Sequence, residues 1–449
     1  MSPPAEESLS QRLARLRRQS PPVSPAPPHP PASASLPAWM KRRLTQTPAP
    51  VGPLGTSQVP KTAETPKDLL TAPSGRFQYR VQRFARTHRH GAMELQGNPQ
   101  HLSEVFPLLT GDPTLADLHG ERVVYLDTET TGLSGGAGVF VYMVGLARFV
   151  PDGVEVWQGF LSGPEQEAAL LAEVSSRIAA SAGVVSFFGK SFDRHRLEDK
   201  MRLHGITPPF AGKPHLDLFH PLRRLHRETL PDTRLQTMER ALCGVVRPDD
   251  LPGSLAPEAW FDFLAGRAHR LEGVFQHNLD DVLSLITLLH WLAALPVREL
   301  SEIGPVEWAR EAAWIDALAK AGQYDRAWAR WTQVQEKHPA PPQAWLQKAQ
   351  LEDRMGRAED ALDSLRHGFP EPRPEVLNIR ALALAAKLRE RSLRDGLGAL
   401  ADANLARKLL AEMRPFSGRT TLESDLIRRC QRLNHQLAGK ASRPEGQAN

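Results

Sequence analysis

The chain has 449 residues, 41% of them hydrophobic, and a formal charge of +5; that length implies two or three domains with sizeable cores. No run of roughly 18 or more apolar residues occurs, and no apolar stretch follows the basic residues near the start, so neither a membrane-spanning helix nor a secretory leader is expected. Cys243 and Cys430 are the only cysteines, which excludes a disulfide framework and fits a protein of the reducing cytoplasm.

Residues 1–66 carry eight Lys/Arg against three Asp/Glu, a surplus that accounts for the whole net charge. The rest of the chain balances, which excludes a uniformly basic coat for nucleic acid and leaves a local patch plus a basic tail. The same segment holds 15 of the 39 prolines. Such a composition buries too little apolar surface to offset its ordering entropy, so residues 1–74 read as a disordered, Pro-rich tail. Stretches 9–19 and 37–44 read as part of that solvated tail, the alternative being short basic helices that dock on a partner or a phosphate backbone.

From residue 75 the texture changes. RFQYRVQRF (76–84) is strand-like, and ERVVYLDTET (121–130), VFVYMVGLARF (139–149) and VEVWQGFL (154–161) follow as strands joined by short links. Residues 164–180 read as a helix with Pro and acids in the first turn. GVVSFF (183–188) reads as a buried strand, 192–205 as a helix, and HLDLF (215–219) as a short strand. Helices near 219–228 and 233–243 and a long one over about 276–294 complete an α/β domain at 75–297, with a mixed five-stranded sheet flanked by helices. Residues 298–440 are all-helical in pattern. Gly322 and Gly356, and likewise Ala327 and Ala361, correspond at a 34-residue offset. This resembles tetratricopeptide helix–turn–helix repeats, an unrelated helical bundle being the alternative. Residues 441–449 read as a second disordered tail.

Asp127 and Glu129 stand two apart at the end of a strand, so both side chains leave the same face. Two carboxylates on a largely apolar strand repel each other and lose solvation, and a hard divalent cation relieves both costs. Asp193 follows the strand at 183–188 and opens a helix, where a lone Asp is also a common N-cap. His277 and Asp281 are four apart on the late helix, and Asp281 begins a stripe continued by Leu285 and Leu288.

The order of these elements, and the words DTETTGLSGGAGVFVYMVG, GKSFD, HLDLFHPLRRL and HNLDDVLSL, resemble the bacterial YprB-type ribonuclease H-like family within the DEDD exonuclease superfamily. The resemblance spans about residues 75–370. It implies that Asp127, Glu129, Asp193 and Asp281 hold two Mg²⁺ or Mn²⁺ ions, with His277 orienting or deprotonating the attacking water. It also implies a 3′→5′ exonuclease acting on single-stranded DNA or RNA ends. In the histidine branch of that superfamily the His lies five residues before the last Asp, and in the tyrosine branch the Tyr lies four before. Here His277 lies four before Asp281, so it is either the base or a structural histidine of the helix. Asp280 is the less favoured ligand. The competing function is a non-catalytic binding scaffold that keeps the fold.

GKS at 189–191 resembles a P-loop ending, but Val184 stands where such a loop needs glycine. The Gly-rich SGGAG loop is read as lying near the substrate backbone. Residues 187–247 hold twelve Lys/Arg against seven Asp/Glu; Lys190, Arg223, Arg224 and Arg227 are the candidate phosphate contacts, a solvated charged helix being the alternative. Phe187, Phe188, Phe192 and Phe219 are assigned mostly to the core, so base stacking is not expected. His215 and Asp217 read as ordinary polar residues of a strand, with support of the site as the alternative. A protein partner is expected at the helical repeats, and no membrane.

Overall fold

The computed structural model describes residues 60–441 apart from 75, 97–101, 133–137, 228, 298–304 and 417. The expected helices at 9–19 and 37–44, and all but the last residue of the SGGAG loop, lie outside the described residues.

Among the described residues the strands are β1 (Leu70–Thr71), β2 (Gln78–Phe84), β3 (Arg89–His90), β4 (Met93–Glu94), β5 (Val124–Thr130), β6 (Val141–Val150), β7 (Gly153–Phe160), β8 (Val184–Ser186) and β9 (His215–Asp217). Seven of them form one sheet in the order β1-β2-β7-β6-β5-β8-β9, and β3 and β4 make a separate hairpin. The expected five strands run consecutively from β7 to the β9 edge: β5–β6 and β6–β7 pair antiparallel, while β5–β8 and β8–β9 pair parallel. The strand expected at 76–84 adds antiparallel to β7, and β1 extends that edge.

The helices of this part are α1 (Leu102–Thr110), α2 (Glu167–Ala179), α3 (Asp193–Leu203), α4 (Phe219–His226), α5 (Leu235–Cys243), α6 (Ala256–Leu264) and α7 (Leu271–Ala293). Helix α7 packs across β5, β6 and β7, and α2 also packs on β6 and β7. Every residue of β7 and the first seven of β6 are buried. That is why β6 reads as a nearly continuous apolar run rather than as an alternation, while the equally buried β7 carries Glu155 and Gln158.

Residues 60–74 belong with this domain rather than with the tail. Thr62 bridges to His269, Lys61 pairs with Glu258 at 3.1 Å and with the buried Asp262 at 3.0 Å, and β1 is hydrogen-bonded to β2. Proline content hid these contacts, of which the Thr62 bridge and the Lys61 ion pairs reach a distant part of the sequence.

The remaining helices are α8 (Pro305–Lys320), α9 (Tyr324–Lys337), α10 (Pro342–Arg354), α11 (Ala358–Gly368), α12 (Val376–Arg391), α13 (Gly396–Ala411) and α14 (Arg419–Ala441). Two hairpins, α8–α9 and α10–α11, turn in the same way. Gly322 and Gly356 have φ of 76° and 77°, and the next amides, of Gln323 and Arg357, donate to the carbonyls of Leu318 and Glu352. Positive φ is cheap only for glycine, which fixes the turn at both places. Helix α8 packs on α4 and α1, and Trp308, Trp314 and Trp331 share one apolar cluster with Leu285, Leu288 and Leu292 of α7. The core therefore runs through residue 297 without a break in packing. Both cysteines are free and buried, and no helix among the described residues is long and apolar enough to cross a membrane.

Candidate active site

Asp127 and Glu129 lie at the C-terminal end of β5, directly before the point where the ladder with β6 slips by one residue. In register, Asp127 faces Gly145 on β6, and Gly145 faces Gln158 on β7. The fully buried Asn278 of α7 lies over this row. Its Nδ2 donates to Asp127 Oδ2 at 2.8 Å, and its Oδ1 accepts from Gln158 Nε2 at 2.9 Å. Gly145 makes this possible, because a Cβ there would fall on the Asn278 amide. The result is a hydrogen-bond chain that holds Asp127 in one orientation.

Thr128 points to the other face, as strand alternation requires. Its hydroxyl donates to Asp193 Oδ1, which seats the first residue of α3 against the end of β5. Asp193 is buried, and burial raises its pKa to about 6; the Thr128 hydrogen bond opposes this, and Asp217 and Asp281 add to it. Burial pushes Glu129 up to about 8, with His277 opposing and Asp281 and Asp193 adding. Asp127 is raised well above the usual carboxylate range by burial, then by Asp281, Asp193 and Glu129. The four expected carboxylates thus stand within electrostatic reach of one another.

Asp281 has a cation of its own. Arg247, on the loop after α5, donates to Asp281 Oδ1 at 2.6 Å and to Glu239 Oε2 at 2.6 Å. Its side chain is 6% exposed, and Glu239 is 1% exposed. Glu239 also accepts from Ser284, whose hydroxyl lies 2.7 Å from His90 Nε2. His277 Nε2 is 3.6 Å from Asp281 Oδ2, and its Nδ1 is 2.8 Å from Asp250 Oδ1. Burial alone lowers the His277 pKa, but Asp281, Asp250 and Glu129 carry it to about 10. Asp280 is turned to Gln276, whose amide donates to both of its oxygens at 3.1 Å.

Sequence reading missed Asn278, Arg247 and Asp250. Asn278 left a signal, a polar residue inside the apolar stripe of α7 beside Val274, Phe275 and Val282. Arg247 and Asp250 sit in a Pro-rich loop, where no periodicity ties them to α7.

The loop from β8 to α3 departs from expectation. The strand ends at Ser186, and Phe188 takes φ of 60°, one of two positive non-glycine values among the described residues. For a bulky side chain this conformation costs on the order of 1–3 kcal/mol and persists only where its surroundings impose it. Asp217 imposes it: Oδ1 accepts from the amides of Phe188 at 2.7 Å and Phe219 at 3.1 Å, and Oδ2 from that of Lys190 at 3.1 Å. Asp217 therefore shapes the loop that leads to Asp193. Phe188, expected to end a buried strand at 183–188, is 45% exposed. Of the candidate phosphate contacts, Arg223 and Arg224 are exposed on α4 and Arg227 is exposed at its C-cap; Arg224 also donates to the Leu109 carbonyl, and Lys190 lies 3.7 Å from Asp112.

All-oxygen, mutually repelling carboxylates are the donor chemistry that suits a hard divalent cation. Among the described residues, however, no three His, Cys, Asp or Glu side chains stand close enough to share one ion. The donor set fits such an ion by its chemistry.

Residues 124–293 match the family model of the RNase_H superfamily. The match opens on the first residue of β5 and closes on the last of α7, the two elements that carry Asp127, Glu129, His277 and Asp281. The domain is ribonuclease H-like. The chain is also 35% identical over 209 residues to the uncharacterized protein YprB of Bacillus subtilis (strain 168), covering 45% of this chain and 49% of that one. It thus spans about half the length of the curated relative it matches.

Proposed function

We propose that this protein is a divalent-metal-dependent nuclease that removes nucleotides 3′→5′ from single-stranded DNA or RNA ends. The observation that carries the reading is the Asp127–Glu129–Asp193 cluster, whose three carboxyls are each raised by burial first and then by neighbouring carboxylates, Asp281 acting on all three. A purely structural site has no use for buried carboxyls whose ionised forms are this costly. With Asp281 these residues would hold Mg²⁺ or Mn²⁺, two ions in the reading favoured here. Bound ions of this type polarise a phosphoryl oxygen and lower the pKa of a water.

The chain's own groups supply the rest. Asn278 keeps one Asp127 oxygen fixed, leaving the other for the reaction centre. Thr128 does the same for Asp193. Asp250 holds His277 by Nδ1, so Nε2 is the nitrogen turned toward Asp281 and available to orient or deprotonate the attacking water. The carboxylates that raise His277 keep it protonated at neutral pH; neutralising them lowers its pKa toward the range of a base. Lys190, Arg223, Arg224 and Arg227 offer charge to the phosphates. The helix pairs from α8 onward, read as tetratricopeptide-like, would present a surface to a protein partner.

End-labelled oligonucleotides incubated with purified protein and Mg²⁺ or Mn²⁺ test the reading. Shortening from the 3′ end, abolished by EDTA and by Asp127→Ala or Asp193→Ala, is expected. Binding without cleavage under every metal tried would favour a scaffold instead, and undiminished cleavage by both variants would remove the site proposed here.

A further inference from the structure

The exposed aromatic loop beside Asp193 has a chemistry that the carboxylates do not explain. Phe188 presents its ring to solvent from a left-handed backbone held by Asp217. Phe219 meets it edge-on at 4.8 Å between ring centroids, Phe187 meets Phe219 at 5.7 Å, and His220 meets it at 5.3 Å. The Arg223 guanidinium lies 5.8 Å from the Phe219 ring centre and makes no ion pair among the described residues. Lys190 is two residues from Phe188 on the same loop. Between them, Gly189 lies so near Asp193 that a Cβ there would reach 3.0 Å from Oδ2. A strained, solvent-facing aromatic, backed by a second ring and flanked by two cations, therefore adjoins a candidate catalytic carboxylate.

Water is a poor partner for an exposed ring, so hydrophobic collapse would ordinarily turn it inward. Here the Asp217 hydrogen bonds hold it out. An unpaired nucleobase is the occupant that matches both halves of the patch: a flat π-face for the ring, and an adjoining phosphate for each cation. Inside a duplex both faces of a base are covered by its stacked neighbours, whereas an unpaired base can swing out and offer one, so the patch favours single strands or frayed ends.

We propose that Phe188 is a stacking platform for an unpaired base at the end of single-stranded nucleic acid, with Phe219 supporting the ring and Lys190 and Arg223 holding the flanking phosphates. This rests on the nuclease reading and names its substrate: a single strand whose terminal base is unstacked next to Asp193.

Binding is measured in EDTA, where no cleavage intervenes, with oligonucleotides carrying 2-aminopurine at the 3′ end, at the 5′ end, or at a blunt duplex end. The full-length protein is expected to quench the single-stranded 3′ probe most. Phe188→Gly, which removes the ring and relaxes the backbone, should weaken that binding about tenfold or more, while Phe188→Trp restores it. An oligonucleotide ending in an abasic site should bind wild type and Phe188→Gly alike. The indole emission of Phe188→Trp should also fall on binding, a readout that survives if the glycine variant folds poorly. Equal affinity of wild type and Phe188→Gly for the single-stranded 3′ probe, or no emission change in Phe188→Trp, overturns the platform while leaving the nuclease reading intact. A wild-type protein that binds none of the probes overturns both.

Discussion

Asn278 donates to Asp127 across 2.8 Å from a helix 151 residues further along the chain. The bond crosses the gap left by Gly145, and Gln158 completes it from β7. Three polar side chains and one glycine thus convert a strand carboxylate into a fixed one.

The first prediction follows from that chain. Asn278→Ala removes the donor and should lower cleavage by about 10–100-fold, the usual cost of losing a residue that orients a metal ligand. Gly145→Ala should act in the same direction without touching a polar group, because its methyl displaces the amide. Cleavage rates and Mn²⁺ titration calorimetry read both. A Gly145→Ala protein with wild-type rate and metal affinity would show that the orientation of Asp127 is immaterial.

Arg247 supports stability as well as the site. It is the shared partner of Glu239 and Asp281, and all three side chains are largely out of solvent. Arg247→Ala strands a carboxylate that is 1% exposed, and breaking such a pair costs about 3–5 kcal/mol. Urea unfolding should show that loss. The double variant Arg247→Ala/Glu239→Ala should lose less than the two single losses added, since the stranded charge is gone. Strict additivity would mean that the two side chains do not share their burial cost.

The carboxylates predict a pH dependence of the metal-free protein. Glu129 titrates at about 8 when folded, against roughly 4.3 for a free Glu, so the folded chain keeps a proton that the unfolded chain has released. His277, at about 10 against roughly 6.5, behaves alike. Both contributions are fully present below the unfolded values and are lost as pH rises through the folded ones. The buried His90, His215 and His290, lowered by burial to about 4, 3 and 4, act in the opposite sense. They do so only below about 6.5, where an unfolded histidine begins to bind a proton. Between pH 6.5 and 8.5 the carboxylate site therefore dominates. In EDTA the melting temperature should fall across that interval, Mn²⁺ should raise it more at the upper end, and Asp127→Asn/Glu129→Gln should flatten the slope. A metal-free melting temperature that climbs over the interval contradicts the raised carboxyls.

Legibility in the sequence followed regularity. Asp127 and Glu129 were visible because a strand repeats every two residues, and His277 and Asp281 because a helix returns to one face after four. The central strands and the long helix declared themselves by apolar runs. Arg247 and Asp250 were hidden because their loop has no period and meets α7 only after folding. Phe188 was misread for a different reason. VVSFF looks like one buried strand, yet the ladder stops at Ser186, and hydrogen bonds from the Phe188 and Lys190 amides to Asp217 turn the last ring outward. Pattern records the average direction of side chains, and a single left-handed residue reverses it. Residues 60–74 were misread because proline content speaks to chain stiffness, not to ion pairs such as Lys61 with Asp262.

Asp250 gives the last prediction. Its Oδ1 lies 2.8 Å from His277 Nδ1, and although burial opposes it, that hydrogen bond and charge hold the Asp250 carboxyl below its usual range. A carboxylate at Nδ1 fixes the ring and its tautomer, so that Nε2 is the nitrogen offered to the reaction centre. Asp250→Asn keeps the shape but weakens that preference. Turnover should fall by about 10–100-fold with KM nearly unchanged, because the histidine contributes to the reaction step and not to holding the strand. Nitrogen-15 correlation spectra of labelled histidine should show His277 shifting from Nδ1–H toward a mixture of tautomers in the variant once divalent metal is added. A variant with an unchanged spectrum and a tenfold higher KM would assign Asp250 to substrate binding, and His277 would then need no second carboxylate to hold it.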